Sequence, residues 1–325
     1  MKDKISIIVP CYNVQKYVMR CFWSIYNQTY GFENLEVIFV DDLSEDNTWP
    51  ILESLQKRYS GNVISLKAKN KGMCGGARNL GMDVCSGKYI TFVDADDCIH
   101  PQMLKAMWNR MQDREYDIIQ CRVKEFSAQK PDYESIDVEK MQWEDFLLEA
   151  EGCRNDWIIK LTGGFNVCVW AKLYRMDFIR NNHIRFVENT FYEDNHFSFV
   201  CILLAEKICV TESALLYYYV NTEGITKSSI SFDKIRDLIK NTDAIRDEIK
   251  QRNIKDTIDC EAEIFVIWKS YFETLAKLEN AVESEKTYYK NHILDIYPKE
   301  KILGNPYIKS VQDEKMLEAL EFLKR

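Results

Sequence analysis

Residues 89–97 read YITFVDADD, a run of β-branched and aromatic residues that ends in three carboxylates. A short apolar run of this kind predicts a buried strand. Three earlier runs have the same character, at residues 5–9, 35–40 and 63–66. Between these runs lie three segments with apolar residues at helical spacing. The first covers 17–26 and the third covers 77–84. The second ends at Tyr59, and Ser44, Asp46 and Thr48 are the candidate caps at its start. This alternation predicts an α/β fold in which helices cover both faces of a parallel sheet.

The composition is that of a packed chain. Of its 325 residues, 46% are hydrophobic and 29% are charged, and the formal net charge is −8. A negative charge disfavours nucleic acid as a partner, because binding to phosphates needs a basic surface. The longest apolar stretch, residues 197–205, is too short to span a membrane, and residues 1–4 lead directly into a strand, so we expect neither a span nor a signal peptide. Eleven cysteines without a CxxC pair indicate reduced thiols and a cytoplasmic location.

The second half of the sequence is poor in turn residues. After Gly164 only Gly224 and Gly304 occur, and no proline lies between Pro131 and Pro298. Apolar residues recur at helical spacing over 235–249 and 264–278, which favours long helices whose stripes form core. We therefore predict an α/β domain at 1–225 and a helical region at 226–325.

A segment rich in polar residues follows each of the four predicted strands. The candidate site residues in these segments are Pro10, Tyr12 and Asn13; Asp41 and Asp42; Asn70, Gly75 and Arg78; and Asp94, Ala95, Asp96 and Asp97. Parallel sheets bind ligands beyond the carboxyl ends of their strands, so these residues should share one edge. Two acidic clusters and a glycine-rich basic loop on that edge can hold a nucleotide diphosphate and a divalent cation. No GxGxxG follows the first strand and no GxxxxGK[ST] occurs, which excludes the dinucleotide-binding and P-loop motifs.

The acidic and glycine-rich segments have complementary chemistry. Asp94 and Asp96 offer hard oxygen ligands that suit Mg²⁺ or Mn²⁺, which proteins commonly bind through one or two carboxylates together with substrate phosphates. Glycines at 75–76 let the backbone approach phosphates, the following helix presents its N-terminus, and Arg78 adds a positive charge. The four histidines form no ligand-spaced set.

Four segments together resemble family 2 glycosyltransferases. They are SIIVPCYN at 6–13, VDDLSEDNT at 40–48, GGARNLG at 75–81 and FVDADD at 92–97. The likeness continues more loosely through VWAKLY at 169–174 and FYED at 191–194 to YYY at 217–219, and it fades after about residue 230. The resemblance implies a GT-A fold, with a Rossmann-like nucleotide-binding sheet that has helices on both faces. It implies that residues 1–225 are a catalytic domain, with a nucleotide-sugar half at about 1–100 and an acceptor half at about 101–225, and that a C-terminal helical region follows at 226–325.

The resemblance also implies the reaction and the donor site. It implies inverting transfer of a sugar from a nucleotide diphosphate sugar, most often a UDP-sugar, in bacterial surface-polysaccharide synthesis. Tyr12 would stack near the base, Asp42 would bond a uracil edge, and Asp41 would support it. Asn70 and Arg78 would line the nucleotide and diphosphate side. Asp94 would meet the ribose, Asp96 with Asp94 would bind Mn²⁺ or Mg²⁺, and the neighbouring Pro10, Asn13, Gly75 and Ala95 would complete the donor site.

The acceptor side is carried over in the same way. Asp194 matches the position of the catalytic base, with Glu193 next in line. Trp170, Lys172, Thr226 and Lys227 are candidates for contacts with the acceptor or the diphosphate. The expected acceptor is a glycan or a lipid-linked sugar, and the resemblance leaves open a homodimer and a peripheral contact at the inner face of the membrane.

Plainer interpretations stand beside these. Asp41 and Asp42 could cap the helix that follows them, and Glu193 and Asp194 could occupy a helix's first turn because the helix dipole favours acidic residues there. The tyrosines at 217–219 could form a strand on the core. The alternative function is a non-catalytic nucleotide-sugar-binding or scaffold protein with the same fold.

Overall fold

A computed structural model describes residues 2–147, 168–220, 232–252, 283–296, 299–305 and 321. The chain divides into two compact units. The first comprises Met1–Leu148, Cys168–Asn189 and Leu204–Ser228, and the second comprises Glu149–Val167, Thr190–Leu203 and Ser229–Arg325. The division predicted at residue 225 stays a prediction.

The first unit is built on one mixed sheet. The strands are β1 (Ile5–Cys11), β2 (Leu35–Asp41), β3 (Val63–Lys67), β4 (Tyr89–Phe92), β5 (Cys98–Ile99), β6 (Ile118–Phe126), β7 (Glu144–Leu147), β8 (Lys172–Arg175) and β9 (Lys207–Tyr219). Their order in the sheet is β3-β2-β1-β4-β8-β6-β9-β5, with β7 paired to β9. The four predicted strands pair in parallel, and every residue of β1 and β2 is buried, so the predicted parallel sheet is confirmed.

Beyond β4 the sheet changes direction. Strands β4 and β6 both pair antiparallel with β8, and β9 runs parallel to β6. The tyrosines at 217–219 form the end of β9, and Tyr217 is buried, in agreement with the interpretation of this run as a strand on the core.

The helices of the first unit connect these strands. They are α1 (Val18–Tyr26), α2 (Thr48–Arg58), α3 (Met73–Val84), α4 (Met103–Arg114) and α5 (Met176–Asn181). Helix α3 lies close to β1, and a Cβ at Gly81 would sit only 2.7 Å from Cγ2 of Ile8. A glycine is therefore needed at this point for the helix to approach the sheet so closely.

A buried carboxylate holds the opposite edge of the sheet, near the amino ends of β1 and β2. The Ser6 hydroxyl donates to Glu36 at 2.6 Å, and the backbone N–H and hydroxyl of Ser86 donate to it at 2.7 and 2.6 Å. Burial alone would raise the pKa of the Glu36 carboxyl, but these hydrogen bonds outweigh burial and lower the pKa below its ordinary value of 4.5.

The described part of the second unit is helical. Helix α6 (Glu193–Leu204) begins in it, and α7 (Phe232–Arg252), α8 (Glu283–Ile296) and α9 (Lys299–Gly304) follow. In α7, Leu238, Ile239 and Ile245 are buried, so the described part of the first predicted stripe is core. The second stripe, at 264–278, lies outside the described residues. No helix among the described residues is both long and apolar enough to cross a bilayer. All cysteines in the described residues are free, and most of them are buried.

Candidate functional site

The loops after β1 and β2 are tied to each other at the carboxyl edge of the sheet. Cys11 pairs with Asp41 in the parallel ladder, and the N–H of Asp42 donates to the Cys11 carbonyl at 2.8 Å. Asn13 then bonds across the two loops, because its N–H donates to Ser44 Oγ at 3.0 Å and its side-chain oxygen accepts from the Glu45 N–H at 2.8 Å. Tyr12 and Asn13 are exposed, whereas Pro10 is buried within β1. The two loops therefore form one connected rim.

The two aspartates after β2 have different surroundings, although both are buried. The Asp41 carboxylate accepts from the Ser44 N–H at 3.3 and 3.4 Å. The Asp42 carboxylate accepts from the N–H groups of Gly72 and Met73 at 2.8 and 3.0 Å. Burial raises the pKa of the Asp42 carboxyl above 3.8, and the two N–H bonds oppose that rise. Asp42 thus caps α3, thirty residues away, and not the helix that directly follows it.

Other residues accept the backbone N–H groups around the start of α2. Asp46 accepts from the Thr48 N–H at 2.9 Å and from the Gln15 N–H at 3.1 Å, while the Thr48 hydroxyl accepts from the Val14 N–H at 2.9 Å. Of the predicted caps, only Asp46 therefore accepts an N–H of the first turn, whereas the hydroxyls of Ser44 and Thr48 accept N–H groups of the loop after β1.

Helix α3 begins earlier than its sequence pattern predicts. The glycine-rich segment predicted as a loop before residue 77 forms the first turn of the helix, with the Gly76 N–H donating to the Gly72 carbonyl at 3.0 Å. A Cβ at Gly72 would lie 3.0 Å from Gly76 Cα, so the tight entry needs glycine there. Met73 adopts a left-handed φ of 55°, a conformation that the two bonds from Asp42 help to hold. Gly75 is buried in this turn, and Asn70 is exposed just before it.

A cation and an aromatic ring meet beside this helix. The Lys71 ammonium lies 4.0 Å from the centre of the Tyr12 ring. A hydrogen bond with Tyr12 is the main cause that raises the pKa of Lys71, and the Asp42 charge adds to it. The sequence motifs predict Tyr12 and Asn70 as site residues but not Lys71, whose only signal is its place in the basic loop.

The acidic segment after β4 is a β-turn. The Asp97 N–H donates to the Asp94 carbonyl at 3.0 Å, which places Ala95 and Asp96 at its centre. Asp94 and Asp96 are half-buried, whereas Ala95 and Asp97 are buried. The Asp97 carboxylate accepts from the Tyr219 N–H at 2.8 Å, and burial together with the charges of Asp94 and Asp96 raises its pKa well above 3.8.

Arg78 joins this turn to α3. Its guanidinium donates to Asp94 Oδ1 at 2.8 Å, its side chain is 4% exposed, and it lies 5.4 Å from the centre of the Phe186 ring. From the sequence, Arg78 and Asp94 are expected to contact different parts of the donor, the diphosphate and the ribose. The structure joins them in an ion pair, so the positive charge of Arg78 is partly balanced before any ligand is present.

The candidates for acceptor contacts differ in how accessible their side chains are. Trp170 is half-buried and stacks on Tyr218, with ring centres 5.9 Å apart and planes at 23°. Lys172 is completely buried and donates to the Cys168 carbonyl, so contact with a substrate would require its side chain to leave this position. Thr226 and Lys227 lie outside the described residues.

Glu193 and Asp194 open helix α6 in the second unit. Glu193 is buried and Asp194 is half-buried. The preceding Tyr192 has a φ of 62°, and burial followed by the Asp194 charge raises the pKa of its hydroxyl. Acidic residues in a first turn are favoured by the helix dipole, so their position agrees with the plainer interpretation also. The assignment of Asp194 as a base stays a prediction.

Chemically, the carboxyl edge of the first unit offers four kinds of group. It has an exposed aromatic ring, hydrogen-bonding carboxylates, the glycine-rich first turn of a helix, and a pair of carboxylates on a turn. Within the described residues, no group of three or more His, Cys, Asp or Glu side chains could hold a metal ion by itself.

Comparison with known proteins gives a consistent result. The sequence model described as Glycosyl transferase family 2 matches residues 6–181. Glycosyltransferase GlyG of Streptococcus pneumoniae is 25% identical over 289 residues, which are 87% of this chain and 90% of GlyG. The poly(ribitol-phosphate) beta-N-acetylglucosaminyltransferase TarS of Staphylococcus aureus is 28% identical over 227 residues, and the match spans 70% of this chain but only 37% of TarS.

Solved structures show the same fold. The crystal structure of S. aureus TarS 1-349 in complex with UDP-GlcNAc aligns with a TM-score of 0.61 at 20% identity, over 99% of this chain and 90% of that chain. The mannosyltransferase PcManGT from Pyrobaculum calidifontis, in complex with GDP-Man and Mn²⁺, aligns with a TM-score of 0.56 at 14% identity, over 99% and 87% of the two chains. The predicted GT-A fold is confirmed, and because the family match covers more than half of its length, this chain belongs to glycosyltransferase family 2.

Proposed function

We propose that this glycosyltransferase moves a sugar, with inversion, from a UDP-sugar to a glycan or lipid-linked acceptor during synthesis of a bacterial surface polysaccharide. The observation that supports it best is the carboxyl edge of β1, β2, β3 and β4, where Tyr12, Asp42, Arg78 and the turn at 94–97 belong to one unit. The names of the teichoic-acid relatives and the UDP-GlcNAc bound to TarS favour this substrate class.

The base of the donor would stack on the exposed ring of Tyr12, with Asp42 bonding the uracil edge and Asp41 supporting it. Asp42 already accepts two backbone N–H groups. A carboxylate has about four lone-pair sites, so it can accept a further donor from the base without releasing the helix. Asn70, Gly75 and Arg78 would line the diphosphate, while Pro10, Asn13 and Ala95 shape the backbone around it.

A divalent cation, Mn²⁺ or Mg²⁺, fits the turn at 94–97. Asp94 and Asp96 are half-exposed hard-oxygen ligands two residues apart, and proteins often bind such ions with one or two carboxylates plus phosphates. When bound, the ion would stabilise negative charge on the diphosphate leaving group. Arg78, held beside Asp94 at 2.8 Å, would stabilise the same charge from the helix side.

The acceptor hydroxyl needs a base on the face opposite the leaving diphosphate. Asp194 is proposed for this role, with Glu193 as the substitute, and a carboxylate within about 3 Å of the hydroxyl is sufficient. Trp170, Lys172, Thr226 and Lys227 are the proposed acceptor-side or diphosphate residues. Catalysis is assigned to residues 1–225, and the helical region 226–325 is left to contact the acceptor, the membrane surface or a second subunit. The proposed location is the cytoplasm or the inner face of the membrane.

Two experiments test the proposal. In a thermal-shift panel with Mn²⁺ or Mg²⁺, UDP-sugars should raise Tm more than GDP-, CDP- or dTDP-sugars do, and no nucleotide-dependent shift at all would contradict donor binding. Asp194→Asn should then reduce transfer by about 10²–10⁴-fold with donor affinity unchanged, as for loss of a general base. Asp96→Asn should weaken calorimetric donor binding in metal as well as turnover.

The control for both substitutions is Glu53→Gln, which neutralises an exposed carboxylate on α2 and should change neither quantity. If Asp194→Asn transfers sugar at the unmutated rate, the base lies elsewhere and Glu193→Gln is the next variant to measure. If Asp96→Asn binds the metal and the donor as before, the cation is not held at this turn.

A further inference from the structure

Arg20 lies behind the acidic turn and bonds to it directly. It is the third residue of α1 and is half-buried. One terminal nitrogen of its guanidinium donates to the Asp96 carbonyl at 2.7 Å. The other donates to the carbonyls of Ala128 and Gln129 at 3.4 and 3.2 Å. One side chain therefore links the turn to the segment that follows β6.

Three aromatic rings surround this guanidinium. It lies 4.2 Å from the ring centre of Tyr219, 4.9 Å from that of Phe126 and 5.7 Å from that of Tyr17. The ring of Tyr219 in turn lies 5.4 Å from Tyr17 and 5.3 Å from Phe126. Cation–π attraction helps to hold the arginine in this cage, and its planar fork keeps the hydrogen-bond direction fixed.

The bond to Asp96 constrains the part of the turn that matters for binding. Asp96 occupies the third position of the turn closed by the bond from the Asp97 N–H to the Asp94 carbonyl, so a donor on its carbonyl fixes the plane of the peptide that follows it. That plane helps to set the direction of the Asp96 side chain. The Tyr219 N–H secures the next residue through the Asp97 carboxylate at 2.8 Å. The same aromatic residue thus meets both Arg20 and the turn.

We propose that Arg20 is a positioning residue for sugar transfer, which fixes the turn at 94–97 so that Asp94 and Asp96 meet the cation and the diphosphate of the donor together. This inference rests on the proposed function. Arg20 bonds Asp96 at its backbone carbonyl, so we expect it to act through the turn. Small displacements of positioning groups are costly, since a misplacement of about 1 Å can reduce a rate by about 10²-fold.

The test compares Arg20→Lys and Arg20→Gln with a matched pair at Arg110. Arg110 lies on α4, is also half-buried, and lies 5.2 Å from the centre of the Tyr116 ring. It bonds Asp145 at 2.6 Å and Asp113 at 2.9 Å, and neither of these residues belongs to the turn at 94–97. All four variants should lower Tm. Each is assayed for Tm, for the Mn²⁺ concentration that gives half-maximal transfer, and for kcat and KM toward a UDP-sugar.

Arg20→Gln should raise the half-maximal Mn²⁺ concentration about tenfold and lower kcat/KM by about 10²-fold. Arg20→Lys should fall between it and the unmutated enzyme, because it keeps the charge in the cage and one donor. Both Arg110 variants should keep the unmutated Mn²⁺ dependence and KM. If Arg20→Gln lowers Tm as Arg110→Gln does but leaves the Mn²⁺ titration and KM unchanged, Arg20 is only structural and the inference is overturned.

If the proposed function is wrong, the binding experiments give results that differ from those expected if only the role of Arg20 is wrong. If the unmutated chain binds no nucleotide sugar, the donor site itself is wrong, whatever the Arg20 variants do. If it binds a UDP-sugar without any need for metal, the cation assignment fails, and donor affinity then decides the role of Arg20. Equal calorimetric affinity of Arg20→Gln and the unmutated chain would refute positioning in that case.

Discussion

Asp42 offers a test of two roles that the proposed function gives to one carboxylate. In the structure it joins two elements, because its oxygens accept the N–H groups of Gly72 and Met73 at the start of α3. In the proposed donor complex it also bonds the uracil edge. Replacement by alanine removes both roles at once, but only the first is visible without ligand. The ligand-free stability of Asp42→Ala therefore measures the cap alone.

The size of the effect follows from the contacts. Loss of an N-terminal cap costs about 0.5–2 kcal/mol, and hydrogen bonds to charged groups contribute about 1.5–3 kcal/mol each. Gly72 and Met73 are only half-buried, so water can replace part of what is lost. We expect about 2 kcal/mol for Asp42→Ala, which lowers Tm by about 4–8 °C in a domain of about 150–250 residues. Asp42→Asn keeps one of the two acceptor oxygens and so should lose only one of the two N–H bonds, at a cost of about 1 kcal/mol.

The assay is a thermal melt with and without UDP, compared with Glu45→Gln as a control in the same loop. Glu45 is exposed, so its neutralisation should change stability by less than about 0.5 kcal/mol. Asp42→Ala should melt lower without ligand and should also show a smaller UDP-dependent shift. A ligand-free Tm within experimental error of the unmutated protein would show that the two backbone bonds contribute nothing, and the reasoning about the cap would be wrong.

Three further predictions test other parts of the first unit. The pKa of Glu36 in the folded protein lies below its ordinary value of 4.5, so its charged form stabilises the fold above about pH 4.5, and this stabilisation is lost as the pH falls through the lower folded-state pKa. Replacement by the neutral Glu36→Gln should therefore make the free energy of unfolding depend less on pH in the acid range. Gly81→Ala should cost about 1–3 kcal/mol in urea unfolding because its Cβ would meet Ile8 at 2.7 Å, whereas Gly61→Ala, with open space around it, should not. Tyr12→Ala should weaken UDP binding in calorimetry by about 1–3 kcal/mol, the range for base stacking on an aromatic ring, without lowering the ligand-free Tm, because the ring is 37% exposed.

The central sheet could be predicted because its signal is local. Strands β1, β2, β3 and β4 are mostly apolar runs separated by helices, so a parallel sheet could be predicted from the pattern alone, and β1 and β2 are buried throughout. The boundaries of α3 could not be predicted in this way. The helix begins at Met73 because a carboxylate about thirty residues earlier accepts its first N–H groups, and no local pattern contains that contact.

The candidate site shows the same limit. The residue types at the strand ends were readable, but their partners were not: the pairing of Arg78 with Asp94 and the burial of Lys172 depend on contacts between segments distant in sequence. Arg20 carried no signal, because an arginine near the start of an amphipathic helix is ordinarily a solvated residue. Its position behind the acidic turn becomes visible only when β6 and β9 bring Phe126 and Tyr219 to it.

These contacts have a common physical consequence for the donor edge. Each of its loops is held by a neighbouring element: Asn13 ties the first to the second, Asp42 ties the second to α3, and Arg20 and Arg78 hold the acidic turn from two sides. Asn13 and Met73 have positive φ angles, a cost that surrounding bonds must offset. A site fixed before the ligand arrives loses less conformational entropy on binding. Substitution of Arg20 should therefore weaken donor binding although Arg20 is proposed to touch no part of the donor, because the loss of its bonds returns that entropy cost to the binding step.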